Sequence, residues 1–403
     1  GNIMSVVGAD TSSGLAVTGN RAVNVSNNTL TFVGGNGSAG FSSTGDGNIA
    51  LDGSTWKFTE GNNSYGFNFK GDGDITVNNN TQTATGGTNY IGFDTAGATS
   101  SATVTGSTFN VTAGNSSFVS QIEGGGPINF GTSSITMNGG TNTGVGGINV
   151  VSSSTSTLSL SGTPITVTGG DSSVGLSSNG IGSVTVSGSP IKMTARGANV
   201  QGVNIAGSGE VTVANNPITI QAVSQTGATG FATSAASTSP ITLNGMPITV
   251  NGGANAQGLS IAGNGVVNVT GSGPIVVNAT GSTGATGISI ANTATGAVTL
   301  DTNIPVTVTG GDTTTGINNL GTGVLNVVNG NPITVKGGNT VTALNNGGSG
   351  AVNIGNSTLT VNATGAGTGL GTTSGSTNTV TANGTQIMVT SNAGATGARI
   401  VGS

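Results

Sequence analysis

Acidic side chains that recur at a fixed interval are the residues here with the clearest potential for chemistry. Asp46 and Asp72 lie one interval apart, and Asp74 follows in Gly71-Asp72-Gly73-Asp74, at the position that Asn48 holds one interval earlier. If that interval is one structural repeat, these carboxylates stack, and stacked like charges repel unless a cation or a base offsets them. Oxygen ligands of this kind suit a hard divalent ion, so Asp46, Asp72 and Asp74 form a candidate Ca²⁺ site. Arg21 and Lys70 fall close enough in the same repeat to serve instead, and acids in glycine turns are also ordinary solvated corner residues. The Gly-Gly-Asp turns at Asp171 and Asp312 do not fall in neighbouring repeats and read as such turns.

Aromatic side chains are the second candidate. Residues 1–130 hold twelve of the thirteen, and among them Trp56 and Tyr65 are the best members of an exposed platform for carbohydrate. Against a platform, Phe41, Phe67 and Phe93 recur at the same interval as the acids, and Phe32 and Phe58 do likewise. That spacing predicts columns inside a bulky core. Glycan-cleaving chemistry needs clustered acids, or a base matched to a carboxylate on one face. The chain has no His and no Cys, and Asp46/Asp72/Asp74 is its one acid cluster. No catalytic or cofactor-binding residue is assigned, and the chain reads as non-enzymatic.

These side chains are positioned by a repeat that fills the chain. The apolar residue after proline in Ser189-Pro190-Ile191 has equivalents at Ile3, Leu30, Trp56, Gln82, Phe109, Ile135 and Ile165, and from Ile218 on to Ile387. The mean spacing is about 27 residues, within the range of solenoids, propellers and arrays. Each period carries three short runs. The first alternates apolar and polar residues, as in Val184/Val186 and Leu325/Val327, the mark of a half-buried strand. The second, around Ile191, is often opened by proline (Pro164, Pro190, Pro217), which is tolerated at a strand start. The third follows a glycine, as in Gly40-Phe41, Gly202-Val203 and Gly258-Leu259, where a corner needing positive φ is expected.

Three strands per period with no helical stretch exclude a βαβ array, and the period is too short for a propeller blade. The expected fold is all-β: a right-handed parallel β-helix, or solenoid, of about 14 coils of about 27 residues with three short strands per coil. At a strand spacing of about 4.8 Å that makes a rod of roughly 65–70 Å. The repeat runs from residue 1 to 403, so one elongated domain is expected, with charged, aromatic-rich coils over 1–130 and regular Thr/Asn/Gly-rich coils over 131–403. Longer coils around 139–157, 221–240 and 278–297 are where loops would bulge. Thr136, Thr166, Thr219, Thr249, Thr307, Thr334 and Thr360 form an outward ladder interrupted by Lys192, Val276 and Met388, a poor surface for ordering ice.

Composition narrows the function classes. Charged residues are 5% of the chain, where a globular domain has about 25%. The net charge is −5 with only seven basic residues, so the electrostatic footprint of nucleic-acid binding is missing. Gly is 76 of 403 residues, a bias that can mean disorder, but disorder gives no reason for a strict apolar register. No apolar run approaches the length of about 20 residues that a spanning helix takes, so no membrane insertion by this segment is expected. Absence of cysteine fits export unfolded across a bacterial envelope. Neither end resembles the polar cap that solenoids need, so a segment of a longer repetitive chain is expected.

The coil pattern, as in Leu325-Asn-Val-Val-Asn-Gly-Asn-Pro-Ile-Thr-Val-Lys-Gly-Gly338, together with the low-charge, cysteine-free composition, resembles the β-helical shafts of large secreted bacterial surface proteins. These are filamentous-haemagglutinin-like exoproteins and autotransporter passenger adhesins. The resemblance implies an extracellular, cell-surface shaft or self-associating fibre, with end-to-end or lateral self-association and host-cell or matrix glycans as partners. The competing classes are a carbohydrate- or ice-binding β-helix module and a polysaccharide-degrading β-helix enzyme. No cofactor is expected apart from the candidate Ca²⁺.

Overall fold

A run such as Thr55-Trp-Lys-Phe-Thr59 is too short to bury its apolar side on its own, so it must pair with its neighbours in the repeat. The computed structural model, which describes residues 1–222, 225–279, 281, 283–374, 376 and 378–401, shows this pairing. Thr55–Thr59 lies parallel between Thr29–Val33 and Thr81–Thr85, with Trp56 opposite Leu30 on one side and Gln82 on the other. First, second and third runs each pair only with runs of their own kind, which builds three parallel sheets. No helix occurs among the described residues. The chain is thus a β-solenoid with the repeat read from the sequence.

Packing divides the chain into two compact units, Gly1–Gly197 and Ala198–Ser403. In the first, second-run strands stack from Ile3–Val7 to Ile191–Ala195, third-run strands from Ser13–Val17 to Val174–Ser178, and first-run strands from Val23–Ser26 to Val184–Ser187. In the second, the corresponding stacks run from Ile218–Gln221 to Gln386–Ser391, from Gln201–Ile205 to Ala395–Arg399, and from Val211–Ala214 to Val380–Asn383. The outward threonines lie in register, Thr136 opposite Thr166 in one unit and Thr307 opposite Thr334 in the other.

Register corrects the pattern in two places. Ile3 pairs with Thr29 and is 84% exposed, whereas Met4 faces Leu30, so the second run of the first coil is shifted by one residue. The sequence also hides the first run Ala102–Thr105, which pairs with Ile75–Asn78 and Ile128–Gly131, because Ala102 is too small to mark an apolar alternation.

The three corners of a coil solve different problems. Between first and second runs the chain passes through a left-handed residue in nearly every coil, for instance Asn27, Gly53, Asn79 and Gly106. Asn and Gly tolerate that conformation best. Directly after it comes a buried polar side chain that bonds to the neighbouring coil: the Ser54 N–H donates to Asn80 Oδ1 (3.0 Å), and the Asn80 N–H to Ser107 Oγ (3.1 Å). Between third and first runs the coils approach so closely that a Cβ on Gly71 would lie 2.0 Å from the Gly45 carbonyl oxygen. The longer coils carry extra residues both there and between the second and third runs. Those between third and first runs do not bulge: Val151–Ser154, Ser234–Ser237 and Ala291–Ala294 close into matching turns, with Ser154, Ser237 and Ala294 buried. Residues 223, 224, 280 and 282 of the longer coils lie outside the described residues.

The glycine at the head of each third run has a different role from the one expected. Gly40, Gly202 and Gly258 do not have positive φ; instead a Cβ at Gly258 would sit 2.4 Å from Ile275 Cγ2, and at Gly202 2.5 Å from Ile218 Cγ2. The next residue, Phe41 or Leu259, also points into the core. Two successive residues facing inward break the alternation of a flat strand and bend the third-run sheet toward the second-run sheet, and opposite a bulky residue such as Ile275 or Ile218 glycine leaves the room at the bend. Gly258→Ala should therefore destabilise by about 2–3 kcal/mol through overpacking. Gly188→Ala, at φ 54° with open space around it, should cost about 1 kcal/mol from left-handed strain. Paired thermal melts check the order of the two variants, and equal losses would contradict the bend.

Candidate functional site

The Gly-Asp-Gly-Asp motif is built by the third-to-first corner. Glycines 71 and 73 are imposed by contact with the coil below, where Cβ atoms would meet the Gly45 and Gly47 carbonyl oxygens. The acids between them point outward and accept hydrogen bonds along the stack. Asn20 Oδ1 accepts the Asp46 N–H (3.1 Å), Asp46 Oδ1 that of Asp72 (3.1 Å), and Asp72 Oδ1 that of Thr99 (2.9 Å). The Asp74 N–H donates to Asn48 Oδ1 (3.1 Å), and Asp74 Oδ1 accepts from the Ser101 hydroxyl (2.6 Å). The candidate Ca²⁺ ligands are thus exposed residues of a corner ladder, each with one oxygen already engaged. Among the described residues no group of three or more His, Cys, Asp or Glu is gathered as a metal centre.

The two aromatic candidates separate. Trp56 is 1% exposed and packs edge-on against Phe41 (6.1 Å between ring centroids) and Phe67 (5.1 Å). Its indole N–H donates to Asn80 Oδ1 (3.1 Å). It cannot offer a face to sugar, because inward second-run positions lie under the bent third-run sheet. The column Phe41, Phe67, Phe93 is buried as expected, and Phe69, Phe109 and Phe130 extend it. Tyr65 is half-buried on the outer face of the third-run sheet, with Lys70 Nζ 6.0 Å from its ring centroid.

Inside the core of this unit lies a polar group that the sequence pattern did not reveal. Glu60 occupies a corner position held by Gly34 one coil earlier and Gly86 one coil later, and its side chain turns inward toward Tyr90. Gln82, the one polar residue of the second-run anchor column, donates from Nε2 to the Gly92 carbonyl (2.9 Å). Tyr90 Oη and Gly40 N–H approach the Glu60 carboxyl, yet neither Glu60 oxygen makes a hydrogen bond of good geometry. Burial accordingly pushes the Glu60 carboxyl from 4.5 up to about 8, only partly offset by Tyr90 and Gly40. Burial and the neighbouring Glu60 likewise raise the Tyr90 phenol well above its ordinary value.

The strongest site is on the outside of the same sheet. At the bend the outward side chains on either side of glycine converge, which makes that face concave. Tyr65 and Asn68 flank the bend in one coil, Ile91 and Asp94 in the next, and Phe118 and Gln121 in the one after, in register. A cavity of about 250 Å³ opens here, lined by Ser42, Tyr65, Asn68 and Lys70 among others. Asn68 is 6% exposed and Asp94 2%, and Oδ1 of each has no hydrogen-bond partner. Burial pushes the Asp94 carboxyl from 3.8 up to about 7, Glu123 adds to the rise, and Lys70 opposes it. Burial, Asp94 and Glu123 raise the Tyr65 phenol. Gln121 Nε2 donates to Glu123, closing the far side of the group. Asn68, Asp94 and Glu123 escape sequence reasoning because outward strand positions read as solvated. The available signal was the polar column Ser42, Asn68, Asp94, Gln121, Asn149 in the most charged coils.

Comparison with protein-family models, with curated proteins and with solved structures found no match to this chain.

Two outcomes are expected. Asp72→Asn keeps the Oδ1 acceptor for Thr99 and should leave the melting temperature unchanged within error, while Asp72→Ala should lower stability by about 1 kcal/mol, the worth of a typical hydrogen bond. Glu60 has a folded pKa above its unfolded one, so its contribution to stability is complete below about pH 4.5 and is lost as the pH rises through about 8. Glu60→Gln should remove this loss, raising the melting temperature at pH 9 and flattening its dependence on pH between 5 and 9. A wild-type melting profile already flat over that range would contradict the buried neutral carboxyl.

Proposed function

We propose that this chain is a non-enzymatic structural element, the shaft or self-associating fibre of a secreted bacterial surface protein of the filamentous-haemagglutinin-like or autotransporter-passenger kind. The observation that carries the reading is the direction of the hydrogen bonds. In strands and corners alike, backbone groups bond to the coil above or below, as Thr55 N–H to the Asn28 carbonyl (2.8 Å) and Gly87 N–H to the Gly61 carbonyl (3.1 Å). Such a construction grows by the coil and presents an open strand edge wherever stacking stops, and open edges template further pairing. Repeated outward threonines and few charges favour packing side by side. In this reading the protein works outside the cell, with other copies of itself and surface glycans as its partners.

Negative-stain electron microscopy of the purified chain over a concentration series tests this. Narrow fibres whose length grows with concentration are expected. Compact particles of one size at every concentration would overturn the proposal. Mixing with an excess of chain carrying Ser5→Pro and Thr31→Pro, which removes ladder donors from two second-run strands, should shorten the fibres.

A further inference from the structure

We propose that the concave outer face of the third-run sheet in the first unit, at Tyr65, Asn68 and Lys70, is a binding site for a neutral, hydroxyl-rich ligand, one ring of a saccharide. Two orphan acceptors mark this face, whether or not the chain is a shaft. Asn68 Oδ1 and Asp94 Oδ1 are buried without donors, although both belong to an outer face. A buried acceptor without a donor is destabilising, and the loss is recovered when a ligand brings an O–H to it. The adjoining cavity of about 250 Å³ is lined by Asn68 itself. It falls just below the roughly 300–1,000 Å³ of pockets for drug-sized molecules, a size for a single small ring.

Charge selects the ligand class. Lys70 lies near enough to Asp94 to lower its pKa, and its Nζ stands 6.0 Å from the Tyr65 ring centroid, so a cation entering here meets a fixed positive charge. Asp94 and Glu123 both raise the Tyr65 phenol, so an anion meets two carboxyl groups. A neutral polyol suffers from neither. It gives an O–H donor to Asn68, accepts from the Lys70 ammonium, and lays its C–H face on the half-buried Tyr65 ring, all three of which line the cavity. Binding by few contacts to one ring is expected to be weak and to strengthen when several sites on associated copies are engaged together.

Saturation-transfer-difference NMR on the purified full chain tests the site, with glucose, galactose, mannose and N-acetylglucosamine as separate probes at about 10 mM, sufficient for a millimolar Kd. At least one should show transfer, reduced at least tenfold by Tyr65→Ala and by Asn68→Ala, with circular dichroism unchanged. Trp56→Phe, a core change that does not touch the groove, should leave transfer intact. No transfer from any of the four, or transfer undiminished in both groove variants, would overturn the proposal. So would Ca²⁺ or inorganic phosphate binding calorimetrically to the wild type but not to Asp94→Ala, since either would make this an ion site.

Discussion

The structure depends on hydrogen bonds that run from one coil to the next. A strand in a parallel ladder satisfies its backbone groups automatically; a corner does not, and in a solenoid every coil has three. Polar side chains fill the gap. Asn80 is the fullest case: Oδ1 accepts from the Ser54 N–H and the Trp56 indole, and Nδ2 donates to the Leu51 and Asn78 carbonyls, both at 2.8 Å. In the second unit Asn319 Nδ2 donates to Asn346 and Asn346 to Ser376, another buried chain of amides. Ser, Asn and Thr are abundant because each corner needs short side chains that both donate and accept. The Asp46/Asp72 stack is the solvent-facing version, in which a carboxylate takes the place of an amide oxygen.

The second constraint is the distance between the third-run and second-run sheets. Glycine at the bend lets the two approach, so that a β-branched or aromatic second-run residue such as Ile275 or Phe58 fills the space a Cβ would occupy. Where the bend residue is Val119 instead, the next inward position is Ser120, so volume lost at one position makes room at the other. The same bend shapes the outer face. Side chains that diverge on a flat strand converge here, which brings Tyr65, Asn68, Lys70 and Asp94 together and takes a carboxyl and an amide on the outer face almost completely out of water. A packing requirement of the core thereby creates a concave polar surface with unmet hydrogen-bonding capacity.

Charge follows the same geography. The coils that bury Trp56 and the phenylalanine column also carry Glu60 inside and Asp94 outside, two carboxyls whose burial makes protonation easier than in water. They differ in surroundings. Glu60 turns into the core toward Tyr90 and Gly40, whereas Asp94 lies on the outer face, in register with Asn68, which lines the cavity.

The sequence by itself determined the all-β class, the length of the repeat, the three runs and nearly every register pair, because a parallel ladder locks equivalent residues opposite one another and a two-residue alternation shows which face is buried. It also located the phenylalanine columns and the proline-led strand starts. It misjudged Ile3 by one residue, gave the third-run glycines a positive φ, expected bulges at third-to-first corners that instead close tightly, and weighed Trp56 for a sugar platform beside its reading as core. Each of these depends on what lies across the coil or beneath it, and spacing along the chain carries no information about that distance. Only the tertiary structure decided that the glycine marks a bend, that the bend makes an outer face concave, and that Asn68 and Asp94 lie buried there without donors, because convergence of side chains at a bend is a property of packed sheets.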